Sequence, residues 1–118
     1  MAVKPETRIV KRIIERLRQW PNAFVVKLTT GGYQVSGLPD VLAVLSGRVA
    51  LIEVKTPEAA RKPDRGATKL QLATMRRIAA AEAITGVVTS VEETEQLLAN
   101  HGLVFPENRA AADAAKEW

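Results

Sequence analysis

The chain contains no cysteine, and this absence removes several kinds of chemistry at once. Disulfide bonds, zinc sites built on thiolates and cysteine nucleophiles are all excluded. Long apolar runs are also missing, since no stretch approaches the roughly 20 residues that a membrane-spanning helix needs. The opening residues, Met1 to Glu6, lack the apolar segment of a secretory signal. These absences fit an intracellular protein, and we expect it to have no membrane partner.

Aromatic residues are scarce, at 4%, whereas apolar residues make up 47% and charged residues 25% of the 118 positions. This balance is typical of a globular domain with one core. The charges are unevenly distributed. Residues 1–77 carry 15 lysines and arginines against 6 acids, whereas residues 78–118 carry 2 against 7. A basic body with an acidic end favours a polyanionic partner such as nucleic acid, the alternative being a solvated surface of mixed charge.

Hydrophobic spacing divides the chain into alternating helices and strands. Helical periodicity predicts helices over 6–20 and 69–83, and Ser90 begins a third as its N-cap, with Glu93 completing a capping box. Short apolar runs predict strands over residues 23–28, 40–45, 49–55 and 86–89. The order indicates an α/β domain in which a mixed sheet is flanked by helices. Residues 1–100 form this domain, and the Ala-rich residues 101–118 form a tail compatible with a short helix.

Charged residues occupy one end of the predicted sheet. Glu53 and Lys55 lie two positions apart at the end of an apolar strand, so their side chains share one face. The short turn at Ser46–Arg48 predicts a hairpin, which places Asp40 opposite a residue near 52–54. A salt bridge from Lys55 would neutralise one of the two acids, but it would leave the other unexplained.

A divalent cation would account for both acids. Mg²⁺ prefers oxygen ligands, often one or two carboxylates, and keeps several waters. Asp40 and Glu53 are the predicted carboxylate ligands, and the backbone carbonyl of Val54 is a further candidate. Lys55 is suited to orienting a water or stabilising developing negative charge. Metal, acids, lysine and a basic surface together point to phosphodiester hydrolysis.

Two helices carry polar residues on their apolar faces. Glu6 lies in the middle of the apolar stripe of the first helix. Its carboxylate either belongs to a functional site or simply stabilises the helix through a favourable interaction with the helix dipole. Gln71 lies on the apolar face of the second helix. It also fits a capping box that begins at Thr68, and from the residues alone the cap is the favoured interpretation.

These marks resemble the PD-(D/E)XK nuclease superfamily, and within it the VRR-NUC domain, the virus-type replication-repair nuclease. The resemblance rests on Gly37-Leu38-Pro39-Asp40, then Glu53-Val54-Lys55 within "IEVKTP", Gln71 in the following helix, and Glu6 opening an "E-x-x-I-x-x-x-I-x-x-x-L" helix. It extends over residues 6–98. It implies a restriction-endonuclease-like αβββαβ core and DNA cleavage dependent on Mg²⁺ or Mn²⁺.

The resemblance also implies roles for individual residues. Asp40 and Glu53 would be metal ligands and Lys55 the catalytic lysine. Gln71 would support the site, and Glu6 would be an additional metal-site or supporting acid. Small members of this kind, from phage or bacteria, resemble Holliday-junction resolvases. This resemblance implies a homodimer that acts on branched DNA in the cytoplasm of a bacterial or phage-infected cell.

Contacts to DNA are expected from two loops. The loop at 56–67 and the start of the next helix supply cations, and the loop at 29–38 supplies an aromatic ring among glycines that could stack on a base. The candidates are Arg61, Lys62, Arg65, Lys69 and Tyr33. Both loops are equally compatible with a solvated surface. Two other functions stay open: a non-catalytic nucleic-acid-binding module, and an enzyme of the same fold used in restriction or nucleotide-end processing.

Overall fold

The computed structural model describes residues 4–28 and 37–115. Its elements run in the order α1 (Pro5–Leu17), β1 (Phe24–Lys27), β2 (Val41–Leu45), β3 (Arg48–Val54), α2 (Lys69–Ala80), β4 (Ile84–Val88), α3 (Val91–Ala99) and α4 (Pro106–Ala115). The predicted order of helices and strands is confirmed, as is the α/β class. No helix in these two ranges is both long and apolar enough to cross a membrane.

The four strands form one mixed sheet in the order β1-β2-β3-β4. The first three are antiparallel, and β4 runs parallel to β3. The turn between β2 and β3 has positive φ at both Ser46 (50°) and Gly47 (80°), as a tight hairpin turn requires. Its register pairs Val41 with Ile52, so the next position along sets Asp40 opposite Glu53.

Helices pack on both faces of the sheet. α1 and α3 contact each other and cover one face, where alternate strand residues are buried. These include Val41, Ala43, Leu45, Ala50, Ile52 and Val54, all at 0% exposure. α2 packs against β4 from the other side. Because side chains alternate along a strand, Glu53 points away from the α1/α3 core and shares its face with α2.

The helix starts follow local sequence signals. α2 begins with a capping box in which Thr68 Oγ1 accepts from the Gln71 N–H and Gln71 Oε1 accepts from the Thr68 N–H, as the sequence predicts. Ser90 is the N-cap of α3, which is also confirmed. The predicted capping box at α3 is wrong, because the Glu93 carboxylate reaches past Ser90 to the backbone N–H and hydroxyl of Thr89.

The segment after α3 belongs to the same core. Leu103 and Phe105 are buried, and the Phe105 ring meets the Trp20 ring edge to face at 5.1 Å. The Arg16 guanidinium lies 3.7 Å from the centre of the Phe105 ring and pairs with Glu95 at 2.8 Å. The start of the predicted tail is therefore tied to α1 and α3.

Candidate active site

Asp40 is held at the start of β2 by the neighbouring strands. Its Oδ2 accepts a hydrogen bond of 2.8 Å from the backbone N–H of Val54, the last residue of β3. Its own carbonyl accepts from the Leu28 N–H at 2.8 Å, which extends the ladder with β1. The carboxylate is thus fixed across the end of the hairpin, and Pro39 before it is fully buried.

Glu53 is a buried carboxyl group. Its residue is 2% exposed, and its Oε2 atom is shielded from solvent with no hydrogen-bond donor. Burial raises the pKa of Glu53 to about 8, and contact with the Asp40 carboxyl contributes to this rise. Two neighbouring carboxylates accept hydrogen bonds but cannot donate them, so the pair needs a shared proton or a cation.

Lys55 is the cation that modulates this pair. Its positive charge lowers the pKa of Glu53, against the effect of burial and Asp40. Its backbone N–H donates to the Val88 carbonyl at 3.0 Å, which continues the β3–β4 ladder past the end of β3 and keeps its side chain on the Glu53 face. The ion pairs of the described residues join Arg16 to two acids and Arg65 to Glu93, and none involves Lys55. The salt-bridge alternative for Lys55 is therefore not realised in the described chain.

Glu6 approaches the pair from the first turn of α1. It is half-buried, and its negative charge adds the smallest contribution to the raised pKa of Glu53. Across residues 4–28 and 37–115, no three acidic or histidine side chains are arranged to hold a metal ion together. The geometry thus unites Asp40 and Glu53 and leaves Glu6 outside a three-ligand group.

Gln71 is half-buried at the third position of α2. Its Oε1 atom is engaged by the Thr68 N–H at 2.9 Å. A glutamine amide also has an NH₂ group with two hydrogen-bond donors, so Gln71 can donate to a group in the site through its NH₂. Gly37 packs against this same turn, since a Cβ at Gly37 would lie 2.8 Å from the Leu70 carbonyl oxygen.

A small divalent ion fits the donors present. Two adjacent carboxylates, one with a buried oxygen that lacks a donor, are hard oxygen ligands of the kind that Mg²⁺ takes. The Val54 carbonyl follows directly on Glu53, and Mg²⁺ commonly keeps waters as its remaining ligands. The donor set is therefore compatible with Mg²⁺ or Mn²⁺, with Asp40 and Glu53 as its centre.

The cations expected to contact DNA lie on the surface near this end of the sheet. Arg61, Lys62 and Lys69 are exposed, and the loop that carries the first two folds into two short 3-10 turns, Ala59–Arg61 and Pro63–Gly66. Arg65 pairs with Glu93 at 2.7 Å. Tyr33 lies outside the described residues.

The sequence did not reveal the Val54 N–H as the group that holds Asp40. A backbone donor leaves no mark in a sequence, because every residue except proline carries one. The predicted hairpin register was the nearest signal, since it placed Asp40 within reach of residues 52–54.

Comparison with known proteins identifies one solved structure similar to this chain. No family model matches the sequence, and no curated protein matches it. The solved structure is described as a VRR_NUC domain and is 28% identical, with a TM-score of 0.63. The similarity covers 81% of this chain and 96% of that one.

Proposed function

Taking as premise that this chain folds as a VRR-NUC domain, we propose that it is a metal-dependent, structure-selective DNA endonuclease. It hydrolyses phosphodiester bonds, and its preferred substrate is branched DNA such as a four-way Holliday junction. The observation that carries the proposal is the Asp40–Glu53 pair, in which a buried carboxylate oxygen has no hydrogen-bond donor. Two adjacent carboxylates can coordinate a divalent cation, and a bound divalent cation can promote the hydrolysis of a phosphodiester bond.

Asp40, Glu53 and the Val54 carbonyl would hold Mg²⁺ or Mn²⁺. Such an ion, when bound, lowers the pKa of a coordinated water and stabilises negative charge on a phosphoryl group. Binding requires Glu53 to be ionised, whereas burial and Asp40 favour its protonated form. Ion binding and loss of the Glu53 proton are therefore coupled.

Lys55 acts on the reacting phosphate from the same strand face as Glu53. A lysine ammonium can orient the attacking water or stabilise the charge that develops during in-line attack. Water displaces the 3′-oxygen and leaves a 5′-phosphate. Gln71, anchored through Oε1, supplies its NH₂ group as a positioning donor, and Glu6 is a supporting acid at the edge of the site.

DNA binding is proposed to involve the basic loop and the start of α2, where Arg61, Lys62 and Lys69 are exposed. Arg65 joins them when its solvent-exposed pair with Glu93 opens, since such pairs are weak. Tyr33 is proposed as a stacking residue on sequence grounds alone. Each cation that neutralises a phosphate adds to the salt dependence of binding.

The enzyme is proposed to act as a homodimer, because paired cuts on symmetric strands need two sites related by a two-fold axis. An apolar row supports a contact surface on the sheet face opposite the α1/α3 core. Phe24 pairs with Val44, and Val44 with Val49, while Phe24 is 58% and Val49 37% exposed. Light scattering on the wild type and on Phe24→Ser tests this proposal. A monomeric wild type would refute the dimer. A dimeric wild type together with a monomeric variant would place the interface at Phe24.

A cleavage assay tests the nuclease. Linear duplex, single strand, splayed arm and four-way junction are incubated with Mg²⁺, with Mn²⁺ or with EDTA, using the wild type and Lys55→Ala. We expect cutting that requires the metal, is lost in the variant and is fastest on the junction.

The outcomes separate the competing functions. Fastest cutting on linear duplex would refute the junction preference but keep the nuclease. Binding without cutting under either metal would refute the nuclease and favour the non-catalytic binding module.

A further inference from the structure

The outer face of α1 carries a row of cations that the proposed active site does not use. Around a helix of about 100° per residue, these side chains fall within about 70° of one direction, opposite the buried stripe of α1. With the N-cap and C-cap residues included, the row consists of Lys4, Arg8, Lys11, Arg12 and Arg18. Glu15 is the only acid on this face of the described helix. We call this row the α1 basic stripe.

The stripe is open to solvent and largely free of internal partners. All five residues are exposed. Within the described parts of the chain, Arg18 alone makes a side-chain hydrogen bond, to the Val25 carbonyl at 3.1 Å. Arg16 on the same helix differs, because it is turned inward and pairs with Glu95 and Glu107. The fold thus uses Arg16 to hold helices together and leaves the stripe available.

A shallow groove extends the stripe onto the sheet edge. The groove, of about 300 Å³, separates α1 from β1, and its charged lining residues are the cations Lys11, Arg18 and Lys27 and the acid Glu15. Lys27 is exposed at the end of the edge strand β1. A second source of positive charge therefore lies beside the stripe, and the two border a concave surface.

The stripe begins at the end of α1 that is nearest the active site, on the side of the helix opposite to Glu6. Glu6, in the first turn of α1, is close enough to Glu53 for its charge to act on that carboxyl group. Lys4 and Arg8 flank Glu6 in sequence and lie at the site end of the helix. From Lys4 to Arg18 the stripe extends about 21 Å at 1.5 Å per residue. That length equals about six base pairs measured along the axis of a duplex, at 3.4 Å each, so the stripe is long enough to contact several phosphates.

We infer that the α1 basic stripe, with Lys27, binds the phosphate backbone of a DNA duplex arm that leads away from the cleavage site. This assignment rests on the proposed nuclease function and adds the surface that positions its substrate. A helix is rigid, so the cations are held in one line, and phosphate contacts of this kind fix orientation without reading sequence. The basic loop at 56–67 then contacts a different part of the same substrate.

Binding measurements on charge variants test the inference. The test pair is Arg8→Gln with Lys11→Gln, and the matched control is Arg76→Gln with Arg77→Gln, two exposed arginines in the later turns of α2. Both double variants lose two positive charges. A charge-preserving pair, Arg8→Lys with Lys11→Arg, completes the set. Affinity for a linear duplex and for a four-way junction is measured in EDTA over a range of salt concentrations, so that no cleavage is needed.

We expect the test pair to weaken duplex binding about tenfold and to reduce the slope of log K against log salt by about 2, since each phosphate contact contributes about 0.9. The control pair should stay within about twofold of the wild type, and the charge-preserving pair should bind as the wild type does. An unchanged slope in the test pair would overturn the inference, and so would an equal loss in the control pair, which would mark a general effect of net charge. The proposed nuclease function is tested separately, by comparing metal-dependent cleavage by the wild type and by Lys55→Ala. The binding result and the cleavage result can therefore fail independently.

Discussion

The Oδ2 atom of Asp40 accepts a 2.8 Å hydrogen bond from the backbone N–H of Val54, the residue next to Glu53. This bond joins the start of β2 to the end of β3, so the position of one carboxylate is tied to the strand that carries the other. It also gives Asp40 two separable roles: an acceptor for Val54 and a negative charge beside Glu53.

Asp40→Asn and Asp40→Ala separate these roles. An asparagine keeps an oxygen acceptor for the Val54 N–H but lacks the charge, so we expect cleavage to fall by about 100-fold or more while stability changes little. An alanine also leaves the Val54 N–H without its partner, which should lower the unfolding free energy by about 1–3 kcal/mol more. Cleavage rates and urea denaturation measure the two effects, and equal stability of both variants would contradict the structural role of the bond.

Glu53→Gln is expected to change how stability depends on pH. In the folded protein the pKa of Glu53 is raised from 4.5 to about 8, so the folded state binds this proton more tightly than the unfolded chain does. In EDTA, the stabilising effect of the proton is fully present below about pH 4.5 and is lost as the pH rises to about 8. Glutamine does not titrate, so the variant should lose less stability over this range than the wild type. Parallel pH profiles from thermal denaturation would show that Glu53 is not the group responsible.

Mg²⁺ should stabilise the wild type in a manner that depends on pH. The ion competes with the proton on Glu53, so it should bind more tightly when Glu53 is already ionised. The rise in Tm on adding Mg²⁺ should therefore be larger near pH 8.5 than near pH 6. Asp40→Asn should show a much smaller rise at either pH, because one ligand charge is missing. If that variant responded as fully as the wild type, the ion would be bound elsewhere.

Lys55→Ala should lower the cleavage rate, whereas Lys62→Ala should lower the affinity for DNA. Lys55 lies on the Glu53 face at the strand end, so its loss should reduce cleavage by about 100-fold while DNA affinity stays within a fewfold. Lys62 lies exposed on the loop, so its loss should weaken binding and reduce the salt dependence by about one phosphate contact, with the rate at saturating DNA retained. Single-turnover cleavage and binding titrations distinguish the two. A Lys55→Ala variant that cuts normally would remove Lys55 from the chemistry.

Arg16→Ala should destabilise the fold without touching the site. Arg16 pairs with Glu95 and Glu107 and stacks on Phe105, so it joins α1 to α3 and to the start of α4. We expect a loss of about 1–3 kcal/mol in unfolding free energy, since the cation–π contact and the paired carboxylates are lost together. Arg12→Ala, which removes an exposed arginine of the same helix that makes no side-chain hydrogen bond within the described residues, is the control. Equal stability of the two variants would mean that Arg16 does not anchor the C-terminal segment.

Much of the fold follows from signals that lie close together in the sequence. The apolar spacing of α1, the cap at Thr68 and the Ser46-Gly47 turn each depend on neighbouring residues, and each predicted its element correctly. The hairpin turn also fixes the β2–β3 register, which is why the sequence alone places Asp40 near Glu53. The Glu93 cap was mispredicted by one residue, because its carboxylate accepts from the N–H and hydroxyl of Thr89 and not from the N–H of Ser90.

The sequence by itself determined the order of the elements, the hairpin and the identity of the residues at its open end, because turns and periodicities are local properties of the chain. Only the tertiary structure decided that Glu53 Oε2 is buried without a donor, that Glu6 reaches the pair through its charge, and that Arg16 turns inward while the other cations of α1 stay exposed. These features arise because segments far apart in the chain pack together. That packing decides which groups are buried and which charges lie close to one another.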